Sequence, residues 1–115
     1  PVAVMAFNPH CIAHMARFAP ELPRGLTTEA YDPVQNAPIP ADVCAYLREI
    51  PDYDRTGSSF ISHQVSDLGR PRVAELKRRG AAILCWTVRS PEQEAEARKV
   101  AHNITFEGYA AVIPA

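Results

Sequence analysis

Short apolar runs alternate with amphipathic stretches along the whole chain. Val2 to Phe7 is an apolar run of strand length. Asn8 then suits a helix N-cap and Pro9 a first helical position, so a helix is predicted from Pro9 to Ala19, ended by Pro20 and Pro23. Arg24 to Thr28 reads as a second short strand. From Glu29 to Pro40 the breakers Tyr31-Asp32-Pro33 and the further prolines and asparagine predict a loop. Ala41 to Ile50 predicts a helix with Val43, Cys44, Leu47 and Ile50 along one stripe. After a polar loop, Pro51 to Ser58, Ser59 to Val65 reads as a third strand. A helix follows from about Arg70 to Arg79, with Val73 and Leu76 inward.

The densest signal is Gly80 to Glu94, GAAILCWTVRSPEQE. Gly80 follows the basic end Lys77-Arg78-Arg79, which is how a helix C-terminus reads. Ala81 to Val88 is a buried strand. Ser90 is a good N-cap, Pro91 suits the first turn, and Gln93 completes a capping box, so a helix is predicted from Pro91 to Ala101. Asn103 stops it before a last strand, Ile104 to Phe106. Strict alternation of strand and helix predicts an α/β fold of parallel strands joined by right-handed crossovers. In such folds ligands are handled at the C-terminal ends of the strands. Trp86 to Arg89 therefore stand where binding is expected, and Phe7 has the same position on the first strand.

Composition narrows the class. A chain of 115 residues is at most one ordinary domain, and 47% apolar with 22% charged residues is the balance of a soluble globular protein. A net charge of −1 implies no general attraction to nucleic acid or to an anionic membrane. No apolar run approaches the roughly 18 residues of a spanning helix, and no signal peptide opens the sequence. Cys11, Cys44 and Cys85 are odd in number and widely spaced, which makes neither a disulfide framework nor a zinc site. A reducing, cytoplasmic setting is the expectation, with Cys85 as a core residue.

Several residues invite a chemical reading. Trp86 and Phe7 suit the wall of a pocket, against the alternative of ordinary core aromatics. Arg89 suits a bidentate phosphate contact or a solvated position beside a helix start. Arg24, read as the end of its strand, leans toward a solvated position. His10 and His14 share a helix face, but two histidines without a third ligand do not make a metal site. Arg70, Arg72, Lys77, Arg78 and Arg79 form a basic helix without interleaved aromatics, which reads as a solvated face rather than a nucleic-acid surface.

In its details the chain resembles the C-terminal half of the glycerophosphodiester phosphodiesterase family. Val4 to Pro9 (VMAFNP) is similar to a family strand that commonly ends in Ser-Phe. Leu22 to Leu26 (LPRGL) resembles the next short strand. GAAILCWTVRSPEQE resembles the Gly-led strand ending Trp-Thr-Val-Asn, and Ile104 to Tyr109 (ITFEGY) a closing strand that often reads Ile-Thr-Asp-x-Pro. Ala6, Arg89 and Glu107 depart from the family's usual serine, asparagine and aspartate. The resemblance implies a partial, half TIM-type barrel over residues 1–115, a single partial domain, since a closed barrel typically needs about 250 residues. It implies hydrolysis of glycerophosphodiesters to an alcohol and glycerol 3-phosphate, with a divalent cation, Mg or Ca, in the complete enzyme. It supports a substrate pocket walled by Trp86 and Phe7, with Arg89 beside it; Glu107 either approaches the barrel mouth by analogy with the family's aspartate or simply ends its strand.

The family's acid–base and metal residues lie in its N-terminal half, as a His-Arg-Gly motif, a Glu-x-Asp strand and a His-Asp pair. The four histidines here are followed by Cys11, Met15, Gln64 and Asn103, and no Glu-x-Asp follows an apolar run. No catalytic and no metal residue is therefore assigned, and the chain is expected to be inactive alone. Its partners are expected to be the missing N-terminal half and a second copy, because a partial barrel leaves open sheet edges. A stand-alone, non-catalytic α/β module that binds a ligand or protein is the competing reading.

Overall fold

The structure, a computed structural model, describes residues 1–114. Strands and helices alternate in the order β1 (Val4–Ala6), α1 (Pro9–Phe18), β2 (Arg24–Thr28), α2 (Ala41–Arg48), β3 (Phe60–Gln64), α3 (Pro71–Arg78), β4 (Ala82–Val88), α4 (Pro91–Ala97) and β5 (Asn103–Phe106). A single 3-10 turn, Val65–Asp67, lies between β3 and α3. Local chemistry sets the boundaries. Asn8 Oδ1 accepts the His10 amide at 2.9 Å and Pro9 fills the first turn, which starts α1. Gly80 takes φ of +101° after α3. That left-handed turn lets Gly80 N reach Lys77 O and Ala81 N reach Leu76 O, both at 3.0 Å, closing the helix by a Schellman motif. Ser90 Oγ accepts the Gln93 amide at 3.1 Å and starts α4. The Gln93 side chain reaches back one residue beyond the cap, accepting from Arg89 N at 2.7 Å.

The five strands are all parallel and lie in chain order. Their register sorts the side chains. Ala6, Leu26, Ile61 and Ile83 align across the sheet, as do Thr28, His63, Cys85 and Ile104. This face packs on the helices through Ile12, Val73, Leu76 and Ala97, forming one core. Ile61, Val73, Leu76 and Ile83 are wholly buried. Burying one such side chain is worth about 1.5–3 kcal/mol over leaving it exposed. The opposite face carries Met5, Gly25, Phe60 and Ala82 in one row, Thr27, Ser62, Leu84 and Asn103 in the next, and Gln64 beside Trp86. β1 and β5 are the outer strands, so the sheet is an arc with two open edges.

Some expected boundaries move. β1 is shorter than Val2 to Phe7, and Phe7 stands just past its end. α2 stops at Arg48, and Ile50 turns into left-handed backbone (φ +49°) while keeping its side chain in the core. Val43 is 40% exposed, so the inward stripe is Cys44, Leu47 and Ile50 without it. α4 ends at Ala97 rather than Ala101, because His102 N is drawn to Ile83 O at 2.7 Å and the chain returns to the sheet. Past β5, Glu94 holds the terminal segment: its carboxylate accepts from Arg98 Nε at 2.8 Å and from Tyr109 OH at 2.9 Å.

The basic helix is only partly a solvated face: Arg78 and Arg79 are exposed, but most of its long side chains have partners. Arg70 is bound to Asp67, Arg72 Nε donates to Glu49 O, Lys77 Nζ donates to Val100 O, and Arg79 pairs with Asp54. Arg72 and Lys77 thus fasten loop carbonyls, while Arg70 and Arg79 bind loop carboxylates. Arg24 is likewise a tether, at the start of β2 rather than its end. Its Nε donates to Thr56 O at 2.9 Å and its Nη1 to Leu22 O at 3.0 Å.

Candidate functional site

The C-terminal ends of the strands bring Phe7 and Trp86 together. Their rings meet edge to face, with centroids 5.7 Å apart and planes at 82°. Phe7 comes from the exit of β1 and Trp86 from the opposite side of the arc, on β4. Trp86 Nε1 donates to Ser62 O at 3.0 Å, which fixes the indole against β3. The β4–β5 register shifts between Cys85 and Val88. Such an irregularity re-aims side chains at the end of a strand. Phe7 remains 51% exposed. The two rings thus form an open apolar wall with a polar tip already satisfied.

Arg89 and Glu107 lie on the same rim, past the ends of β4 and β5. Arg89 Nε and Nη2 both reach Glu107 Oε1 at 2.8 Å, and both side chains are largely exposed. An exposed pair of this kind contributes about 0–1 kcal/mol, so either member is free to exchange partners. Gln64, at the end of β3, closes the rim toward β2 by accepting from Ala30 N at 3.0 Å. Ser62 Oγ, on the inner face, is buried without a hydrogen-bond partner.

Beside Phe7 a small cavity of about 20 Å³ opens between β2 and α2, lined by Phe7, Thr28, Tyr31, Leu47, Ile50 and Asp52. That is room for about one water. Among the described residues, Tyr31 (φ +52°) and Ile50 are the non-glycine residues in left-handed backbone, and both border this cavity. Holding such a conformation costs of order 1–3 kcal/mol each. Burial, followed by the nearby charges of Glu29 and Asp52, pushes the Tyr31 hydroxyl up to about 12.

A second polar group went unrecognised in the sequence. Thr28 Oγ1 lies 2.7 Å from His63 Nδ1, and His63 Nε2 lies 2.8 Å from Asp67 Oδ2. Arg70 grips the same carboxylate with Nε at 2.6 Å and Nη2 at 2.9 Å. The His63 side chain has no solvent exposure. Burial lowers its pKa despite the opposing pull of Asp67. Burial would raise Asp67, but hydrogen bonds from Arg70 and His63 hold it below the usual carboxylate value. Only the order His63, Asp67, Arg70 after an apolar strand carried a signal for this group. His63 faces the helices, so it does not enter the aromatic mouth.

His10 and His14 lie exposed on α1. Among the described residues, no group of three or more His, Cys, Asp and Glu is placed to hold a metal ion. No helix is long and apolar enough to cross a membrane.

A parallel α/β arc with an aromatic pair at its C-terminal strand ends has the architecture of part of a TIM-type barrel. The model of the glycerophosphoryl diester phosphodiesterase family matches residues 1–104, and the chain belongs to that family. No curated protein sequence matches significantly. Among solved structures, an Oleispira antarctica phosphodiesterase in complex with its product sn-glycerol-3-phosphate is similar at a TM-score of 0.68 and 15% identity. The match covers 92% of this chain and 38% of that one. A chain assigned as a glycerophosphoryl diester phosphodiesterase from Agrobacterium tumefaciens is similar at 0.66 and 14%, over 90% of this chain and 39% of its own. Another, from Silicibacter pomeroyi, is similar at 0.62 and 23%, over 90% and 33%. The chain therefore spans well under half the length of these relatives, and the likeness establishes the partial barrel fold.

Proposed function

We propose that this chain is the pocket-bearing C-terminal portion of a glycerophosphodiester phosphodiesterase, which splits glycerophosphodiesters into an alcohol and glycerol 3-phosphate. The observation that carries this reading is the Phe7–Trp86 wall at the ligand end of a sheet of this family. The two rings offer an apolar surface to the glycerol or alcohol group. Arg89 takes a phosphate oxygen by exchanging its exposed partner Glu107. The relative from Oleispira antarctica holds sn-glycerol-3-phosphate, which supports this choice of ligand.

Attack on a phosphodiester needs a cation to offset phosphate charge and a group to move protons. None of the 115 residues matches the family's His-Arg-Gly, Glu-x-Asp or His-Asp motifs. On its own residues the chain binds and does not hydrolyse; the cation, Mg or Ca, belongs with the residues of the complete enzyme. The test is release of glycerol 3-phosphate from glycerophosphocholine by the purified chain, with either cation. No release above a buffer blank is expected. Metal-dependent turnover would overturn the assignment of the catalytic groups to another segment.

The same reading gives the chain a partner. The outer strands β1 and β5 leave backbone groups unpaired, and Met5, Phe7 and Phe106 are about half exposed nearby. Pairing with complementary strands, or with a second copy in a symmetric dimer, removes both features. Light scattering across a dilution series is expected to show self-association of the isolated chain. A monomer at every concentration would favour the stand-alone module.

A further inference from the structure

We propose that Thr28, His63, Asp67 and Arg70 form a positioning relay that sets Trp86 in the mouth. The proton positions follow from the partners. Asp67, gripped by Arg70 through both oxygens, is an ionised acceptor. His63 Nε2 must therefore carry the proton it donates. Burial disfavours the charged ring, so Nδ1 is left without a proton, and the Thr28 hydroxyl donates to it at 2.7 Å. His63 is a neutral imidazole held in one tautomer, with both ring nitrogens used.

A wholly buried position facing the helices needs no polar ring for packing, because its neighbour Cys85 and the aligned Ile104 fill the same layer as small or apolar groups. A polar group there is costly unless fully satisfied. What the ring adds is register. The carbonyl of Ser62, which receives the Trp86 indole N–H, belongs to the peptide unit that ends at the His63 nitrogen. A ring tied at both nitrogens restrains the His63 backbone, and with it the peptide unit that carries this acceptor. On the other side, Gln64 ties Ala30, just as His63 ties Thr28. Residues 63 and 64 thus hold the exit of β2 from both faces of the sheet. Arg70, at the N-cap of α3, anchors the far end of the relay. Thr28 borders the small cavity beside Phe7, and none of the four takes part in the Phe7–Trp86 contact itself. They are positioning residues, and their purpose rests on the reading of Trp86 as a pocket wall.

The chain contains one tryptophan, so its single indole N–H resonance reports the outcome. Long-range proton–nitrogen NMR of the histidines should show His63 as the Nε2–H tautomer at neutral pH. Thr28→Val keeps the side-chain shape and removes the donor. It should shift the His63 Nδ1 signal toward that of an unbonded nitrogen and displace the Trp86 indole N–H. Thr28→Ser should restore both. A purely structural role predicts a lower melting temperature in Thr28→Val with the indole resonance unmoved, and that result would overturn the relay. So would a charged or Nδ1–H His63 in the unaltered chain, a measurement that does not depend on any variant folding. Titration with sn-glycerol 3-phosphate separates the two readings. If the unaltered chain binds none while the indole still shifts in Thr28→Val, the pocket assignment fails and the relay stands.

Discussion

Phe7 and Trp86 touch across the arc, although β2 and β3 lie between their strands. Three strand spacings in a flat sheet span about 14 Å. Rings whose centroids are 5.7 Å apart must lean toward each other over a concave surface. The curvature of a barrel sheet shortens that span, and the contact makes the mouth a feature of two distant segments. Phe7→Ala should cost about 1 kcal/mol of stability, the scale of an aromatic pair. It should also move Trp86 emission to longer wavelength as the indole gains water. Unchanged emission would mean that the pair does not persist in solution.

Gly25 is the second place where curvature shows. A Cβ there would collide with the ring and backbone oxygen of Phe60 on the neighbouring strand. Only glycine leaves room for that ring at this position. Gly25→Ala should destabilise the fold by about 1–3 kcal/mol through overpacking, measured by chemical denaturation. Gly80→Ala meets no atom, yet sits at φ +101°, so its cost is backbone strain alone. A neutral Gly25→Ala would contradict the inner-face packing.

Stability should fall on acidification in two stages. The folded His63 titrates below its ordinary value of 6.5, so the unfolded chain binds the proton first. Stability is therefore lost as pH falls below 6.5, by at most about 1.4 kcal/mol per pH unit for one proton. Asp67 and Glu94 are held below their ordinary values of 3.8 and 4.5; for Glu94 the cause is first the bond from Arg98. Their contribution is present above those values and is lost as pH falls through the lower folded values. Urea denaturation at a series of pH values should show both stages. A curve flat between pH 7 and 5 would contradict the buried, neutral His63.

The ion pair of Arg89 with Glu107 should behave differently. Both side chains are more than half exposed. Arg89→Ala should cost under about 1 kcal/mol, and the difference should shrink in added salt. A larger, salt-independent loss would make Arg89 a structural residue rather than a group free to take phosphate.

The order of elements was legible because each boundary carried its own chemistry: Asn8-Pro9, Gly80 and Ser90-Pro91 start or stop helices where they were expected to. The parallel sheet followed from alternation, and the family from the Trp-Thr-Val segment in its glycine-led context. The tethers in the basic stretch were not legible, since Arg70, Arg72 and Arg79 look solvated until the Asp67 and Asp54 carboxylates and the Glu49 carbonyl are in place. The link between Thr28 and His63 is a pairing of two strands in one register, which no local pattern announces. The meeting of Phe7 with Trp86 was expected from parallel strand ends, but the contact itself depends on curvature.

The most direct test is titration of the chain with sn-glycerol 3-phosphate, read by the fluorescence of its single tryptophan. A saturable change is predicted, weakened in Arg89→Ala and lost in Phe7→Ala, with inorganic phosphate binding less tightly because it lacks the glycerol that the rings cover. No saturable change in the folded, unaltered chain, or equal binding by both variants, would contradict the assignment of this mouth as the glycerophosphate pocket.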